Sequence, residues 1–311
     1  MSNFLKRLIL TLVGIPLIFF IIFWPQKSHL LAIAAFGIII TFFGSYEIGT
    51  LIYKKGINVR RFFLPIINLS IYIFAYIYAN NYFKIQGFRP VWILFLFLLI
   101  AILSFIYARD INKKDLSRSF EKMAYTLLGI FYIGIPSFFI PFLFNVNTKS
   151  ADFNSIFYNV GSTGTLTGSL LVLFMIVNIF SSDIFSYIFG MLFGRNNVIN
   201  LEASPKKSWA GYIGGYFSNY FWVALFYILF DRVFNLLDFP WWFYFIVPVF
   251  SGIIIPIGDL VESVIKRSAN VKDSGDIMPG RGGILDSVDT MLYFIPIYFI
   301  YIQLYFAFIS L

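Results

Sequence analysis

Apolar residues run along this chain in blocks of about twenty, interrupted by short polar stretches instead of alternating with them. Coiled as a helix at about 1.5 Å per residue, such a block matches the roughly 30 Å hydrocarbon core of a bilayer. Nine blocks stand out, at about 8–24, 29–53, 62–80, 90–107, 125–145, 167–193, 210–230, 240–258 and 291–310. They predict an all-α polytopic membrane protein with about nine transmembrane helices and no soluble domain. The first block follows Lys6 and Arg7, as in a signal peptide, but "WPQKS" after it offers no small-residue cleavage site, so it reads as a retained helix. The chain divides into N-terminal transmembrane helices, 1–124, and a C-terminal transmembrane region, 125–311, within one integral-membrane unit.

Composition agrees. Hydrophobic residues make up 59% of the chain and charged residues 12%, against about 25% charged in a soluble domain. The absence of cysteine removes disulfides, thiolate metal sites and cysteine nucleophiles. The single histidine, His29, reads as an interface residue. A net charge of +8 does not point to nucleic acid here. With the N-terminus inside, 18 of the 23 Lys and Arg fall on inner segments, leaving Lys27, Lys84, Arg89, Lys149 and Arg232 outside. The positive-inside rule therefore predicts a cytoplasmic N-terminus. The mixed-sign stretch 108–124 reads as a solvated connector, as does the Asn/Ser/Thr/Gly-rich stretch 146–166.

The 15 acidic residues are more informative, because seven gather at the expected inner ends of the last spans: Asp183, Asp259, Glu262, Asp273, Asp276, Asp286 and Asp289. Asp183 lies inside an apolar run, where an ionised group is costly unless hydrated or paired. Further on, "SPKKSWAGYIGG" (204–215) sets Lys206 and Lys207 before Trp209 and a Gly-rich helix start. A helix N-terminus beside lysines suits a phosphate group; the alternative is an interfacial Trp and Lys anchor. In "GDLVESVIKRSANVKDSGDIMPGRGGILDSVDT" (258–290), Asp259, Glu262, Ser263 and Lys266 share one helical face, and Asp286 and Asp289 are one turn apart. Pro279 and the three glycines that follow it, Gly280, Gly282 and Gly283, allow a tight loop. Carboxylates beside Lys and Arg are what a Mg²⁺–polyphosphate site needs; a plain polybasic loop explains Lys266, Arg267 and Lys272 but not the patterned acids. Glu47 is a lone carboxylate in the second span, read either as a bundle-interior contact or as part of the polar cavity.

These residues resemble a known family. "SVIKRSANVKDSGDIMPGRGGILDSVD" (263–289) is similar to the signature of phosphatidate cytidylyltransferases, or CDP-diacylglycerol synthases. Ser263, Lys266, Arg267, Lys272, Asp273, Gly275, Pro279, Gly282, Gly283, Asp286 and Asp289 fall in register. "GDLVES" resembles the family's G-D-L-x-E-S, and "SPKKSWAGYIGG" its S-P-x-K-T-W-x-G-x-x-G-G. Asp183, Tyr187 and Gly190 match its D-x-x-A-Y-x-x-G. Two positions depart: Arg281 stands where the family has His, and Ser287 where it has Arg.

The resemblance implies that CTP and phosphatidic acid give CDP-diacylglycerol and pyrophosphate, with Mg²⁺ and room for a second monovalent or divalent cation. It implies Asp183, Asp259, Asp286 and Asp289 as metal ligands. Lys206, Lys207, Lys266, Arg267, Lys272 and Arg281 would contact phosphates, while Ser204, Trp209, Ser263, Gly282 and Gly283 shape the substrate site and Asp273 binds metal or orders Lys272. It further implies a cytoplasm-facing site in the cell membrane, lipid entering from the bilayer, and a homodimer. Three alternatives stay open: a CTP-dependent enzyme for another lipid, an inactive paralogue, and a transporter, which would place charges near mid-membrane in symmetric halves.

Overall fold

The computed structural model describes residues 26–59, 61–79, 117–146, 166–234 and 239–309, with scattered positions outside these ranges. Among them the chain forms α1 (Gln26–Lys54), α2 (Phe63–Ala79), α3 (Ser119–Phe144), α4 (Leu166–Phe193), α5 (Trp209–Val233), α6 (Trp241–Ser268) and α7 (Leu285–Ile309). Extended backbone among the described residues is limited to isolated bridges. Six of the helices are long and apolar enough to cross a membrane, and α2 is a shorter apolar helix. Seven of the nine expected spans fall on these helices; the blocks at 8–24 and 90–107, and the polar stretch 146–166, lie almost wholly outside the described residues. The helical class therefore holds, at the coarser count of six spanning helices plus one shorter one.

Two boundaries differ from expectation in ways that matter. The eighth block was expected to end near 258, yet α6 runs on to Ser268, ten polar-rich residues further. The last block was expected to begin near 291, yet α7 starts at Leu285. Asp259, Glu262, Lys266, Asp286 and Asp289 are all helical, as their spacing predicted, although they lie beyond the apolar blocks. The helix tolerates these charges because several bond to one another, as described below.

A continuous apolar core joins the bundle, with Phe174, Tyr244, Phe294 and Tyr298 fully buried. Tyr298 donates to the Leu171 carbonyl at 3.2 Å, tying α7 to α4. Polar pins cross the apolar interior, where a bilayer gives helices no hydrophobic reason to associate. Asn68 donates to Ser45 Oγ at 2.8 Å and to the Gly129 carbonyl at 3.2 Å, knitting α1, α2 and α3. Ser181 donates to Asn219 at 3.0 Å, joining α4 to α5. These two helices approach closely through small residues: a Cβ on Gly211 would lie 2.8 Å from the Ser186 carbonyl oxygen, and one on Gly215 2.9 Å from that of Ser182. The outward faces carry exposed Phe217, Phe221, Ile253, Leu304 and Phe308, as a lipid-facing surface does. Helix α3 passes through a π-helical turn at Ile130–Gly134, just before Pro136, which lacks an N–H for the carbonyl four residues back.

Candidate active site

The polar residues converge at one end of the bundle, where the C-terminal ends of α4 and α6 meet the N-terminal ends of α5 and α7. A cavity of about 540 Å³ opens there, and Asp183, Ser204, Lys206, Lys207, Asp259, Asp286 and Asp289 all line it. Ser186 and Tyr187 of α4, Tyr212 of α5 and Thr290 of α7 complete its polar wall.

Residues 195–208 fold into a tight connector before α5. Ile199 N–H donates to the Lys207 carbonyl at 2.9 Å, and Asn200 takes the left-handed conformation at φ 56°. Ser208 caps α5, accepting from Gly211 N–H at 3.2 Å. Asn197 takes two more donors of the first turn: its carbonyl accepts from Trp209 N–H at 3.0 Å and its Oδ1 from Ala210 N–H at 3.3 Å. These contacts narrow what the helix start could offer a phosphate group. The dipole remains, but the first three N–H groups already have protein partners. Cationic binding capacity here rests on Lys206, which is exposed, and on Lys207, which pairs with Asp259 at 2.5 Å and lies 5.7 Å over the Tyr212 ring.

Across the cavity, the loop between α6 and α7 is folded around two carboxylates. Gly280 and Gly282 adopt φ 80° and 97°, closing a turn in which Met278 N–H donates to the Gly282 carbonyl at 2.7 Å. Asp286 Oδ2 accepts from Ser274 N–H and Oγ, both at 2.8 Å, and from Gly283 N–H at 2.7 Å. Its Oδ1 takes Lys266 Nζ at 2.6 Å. Lys266 also pairs with Glu262, whose Oε1 is buried without a partner. Glu47, from distant α1, receives Ile284 N–H at 2.9 Å, Leu285 N–H at 2.8 Å and Ser274 Oγ at 2.9 Å. Of its two sequence readings, Glu47 is thus the bundle-interior contact, and it does not line the cavity.

Other expected site residues sit apart. Lys266 turns inward, its side chain 13% exposed. Trp209, Arg267, Lys272, Asp273 and Arg281 are exposed and do not line the cavity, and Arg267 donates to the Val271 carbonyl at 3.1 Å. Ser263 is half-buried on α6, and Gly282 and Gly283 act within the loop that holds Asp286. Ser287, which stands where the signature has Arg, bonds back to Met278 Sδ at 3.4 Å. Sequence reading missed Ser274 and Thr290 as polar partners of Asp286 and Asp289; both are ordinary loop and helix residues in the sequence, made specific only by folding.

Among the described residues no three acidic groups already converge as a metal site. The donor set nevertheless fits Mg²⁺ shared with a ligand. Asp183, Asp259 and Asp289 supply hard oxygen atoms to one cavity that also holds lysines, and Mg²⁺ commonly takes one or two carboxylates plus substrate phosphates. Asp286 fits less directly, since both its oxygens already accept hydrogen bonds from the chain.

A family model described as the cytidylyltransferase family matches residues 5–305. A phosphatidate cytidylyltransferase of Staphylococcus saprophyticus is 31% identical over 179 residues, 58% of this chain and 58% of the relative. One from Thermotoga maritima is 31% identical over 192 residues, 61% of this chain and 63% of the relative. One from Bacillus subtilis is 26% identical over 239 residues, 71% of this chain and 80% of the relative. The matched stretch thus spans less than two thirds of the staphylococcal relative's length.

Proposed function

The chain belongs to the cytidylyltransferase family, and we propose that it transfers the cytidylyl group of CTP to phosphatidic acid, giving CDP-diacylglycerol and pyrophosphate in phospholipid synthesis. The observation that carries this reading is the convergence of Asp183, Asp259 and Asp289 with Lys206 and Lys207 on one cavity at one end of an apolar bundle. A lipid phosphate oxygen attacks the innermost phosphorus of CTP, and the bond to the bridging oxygen of the departing pyrophosphate breaks. The attacking oxygen is already ionised near neutral pH, so no strong general base is required. The chain's task is to orient two anions and offset their charge.

In this reading Lys206 and Lys207 hold the triphosphate, and Arg267, Lys272 and Arg281 draw anions to the mouth. Ser204 and Trp209 shape the connector, Ser263 supports the α6 face, and Asp273 orders Lys272. Lys266 and Asp286, bonded to each other, fix the α6–α7 loop. Asp183, Asp259 and Asp289 would hold Mg²⁺, which would neutralise charge on the leaving phosphates. A second cation and a homodimer belong to the same reading. Lipid reaches the cavity from the bilayer, because its tails stay in hydrocarbon, and CTP from the cytoplasm; a cell-membrane location with a cytoplasmic N-terminus belongs to the same reading.

The test is turnover by purified protein in detergent–lipid micelles supplied with labelled CTP, phosphatidic acid and Mg²⁺. The expected product is a CDP-lipid that disappears with chelator and in Asp289→Ala. Folded protein that consumes CTP only with a different lipid, or not at all, overturns the assignment.

A further inference from the structure

Helix α7 begins with a residue that cannot cap it. Its first helical residue is Leu285, so the capping position falls on Ile284, whose side chain has no acceptor. An uncapped helix start in an apolar setting leaves N–H donors unmet, at the full cost of their lost hydration. The missing acceptor arrives from the other end of the chain: Glu47 takes the N–H groups of Ile284 and Leu285, one on each oxygen. Its Oε2 also meets Ser274 Oγ, which lies 2.8 Å from Asp286 Oδ2, so one serine hydroxyl stands between the two carboxylates.

The loop is shaped to receive this carboxylate. A Cβ on Gly275 would lie 2.7 Å from Glu47 Oε1, and one on Gly283 would collide with both Glu47 and Ser274. Two glycines of the 263–289 signature therefore leave room for a side chain from α1. Asp286 and Asp289 are the second and fifth residues of α7, so whatever fixes the first turn also fixes both.

We propose that Glu47 is a positioning residue: by capping α7 in trans, it sets where Asp286 and Asp289 stand on the cavity wall. The inference rests on the proposed cytidylyl transfer for its effect on turnover, but not for its effect on the loop. Lys206 and Lys207 reach the cavity from the separate 195–208 connector, so nucleotide affinity should survive when Glu47 is changed. In Glu47→Gln, an amide N–H replaces one acceptor where donors converge.

The experiment compares wild type, Glu47→Gln and Gly283→Ala, the last disturbing the same contact from the loop side. Hydrogen exchange of peptides covering 272–289 should accelerate about tenfold in both variants, with α2 and α4 peptides unchanged. Turnover should fall on the order of 10–100-fold in kcat, with KM for CTP within about threefold. Glu47→Asp, retaining the charge at shorter reach, should recover part of the protection. Unchanged exchange at 272–289 in folded Glu47→Gln overturns the proposal, and so does faster exchange spread evenly over the bundle, which would mark a general structural role. Faster exchange confined to the loop with kcat unchanged also overturns it. If wild type itself makes no CDP-lipid while the loop still loosens in the variants, the anchoring stands and the cytidylyl-transfer reading fails.

Discussion

Lys207 Nζ lies 2.5 Å from Asp259 Oδ2, so the connector before α5 is pinned across the cavity to α6. The lysine side chain is 21% exposed and the aspartate 42%. An ion pair that open to solvent contributes about 0–1 kcal/mol, so its value to the fold is small. Its placement on the cavity suits exchange: a polyphosphate that takes Lys207 releases Asp259.

Asp259→Asn should therefore separate activity from stability. Turnover is expected to fall on the order of 100-fold or more, with the detergent melting temperature nearly unchanged. Parallel melting and turnover curves decide this; a large loss of melting temperature would contradict it.

Lys266 is the opposite case. Its side chain is 13% exposed, that of Glu262 1% and that of Asp286 7%. Lys266→Met leaves two buried carboxylates without their cation, which costs about 3–5 kcal/mol for a broken buried pair. Lower folded yield and earlier unfolding in denaturant are expected, and removing one of the two carboxylate charges with Glu262→Gln in the same chain should recover part of the loss.

Arg281 is exposed near the loop, and Ser287 points back to Met278. If Arg281 supplies the cation that Ser287 lacks, the two positions are coupled. The double change Arg281→His with Ser287→Arg should be more active than either single change. Activities of all four proteins, measured at equal ionic strength, give the coupling; a double variant no better than the singles refutes it.

Gly211→Ala tests the close approach of α4 and α5 beside the cavity. The added Cβ would lie 2.8 Å from the Ser186 carbonyl oxygen, forcing α4 and α5 apart at a cost of about 1–3 kcal/mol. A lower melting temperature is the expected readout, and an unchanged one would show that the interface gives way cheaply.

The helices were legible because a bilayer imposes length and apolarity on each span, and both are written locally. Much of the cavity was legible too: Asp183, Asp259, Asp286 and Asp289 stood out because acids are scarce in this sequence. The helical face of Asp259, Glu262 and Lys266 was legible in their spacing, but the apolar block alone stopped short of it, since hydropathy marks where apolar residues stop, not where Lys266 and Glu262 keep a helix going. The start of α5 was partly hidden for a related reason. Its flanking lysines and glycines resemble an anion site, but Asn197 takes two of its donors through a fold of the connector that no periodicity reports. Glu47 was visible as a lone carboxylate, yet its partners lie at the far end of the sequence.

That distance has a consequence for how the chain is made. Glu47 leaves the ribosome 237 residues ahead of Ile284, roughly 10–50 s at about 5–20 residues per second. During that interval an acidic side chain sits in a newly inserted hairpin with no permanent partner, where lipid exposure is costly. Ile284 and Leu285 bring the donors that settle it. Arrival of the α7 start thus completes the surroundings of α1, and a chain interrupted before α7 carries an unmet carboxylate.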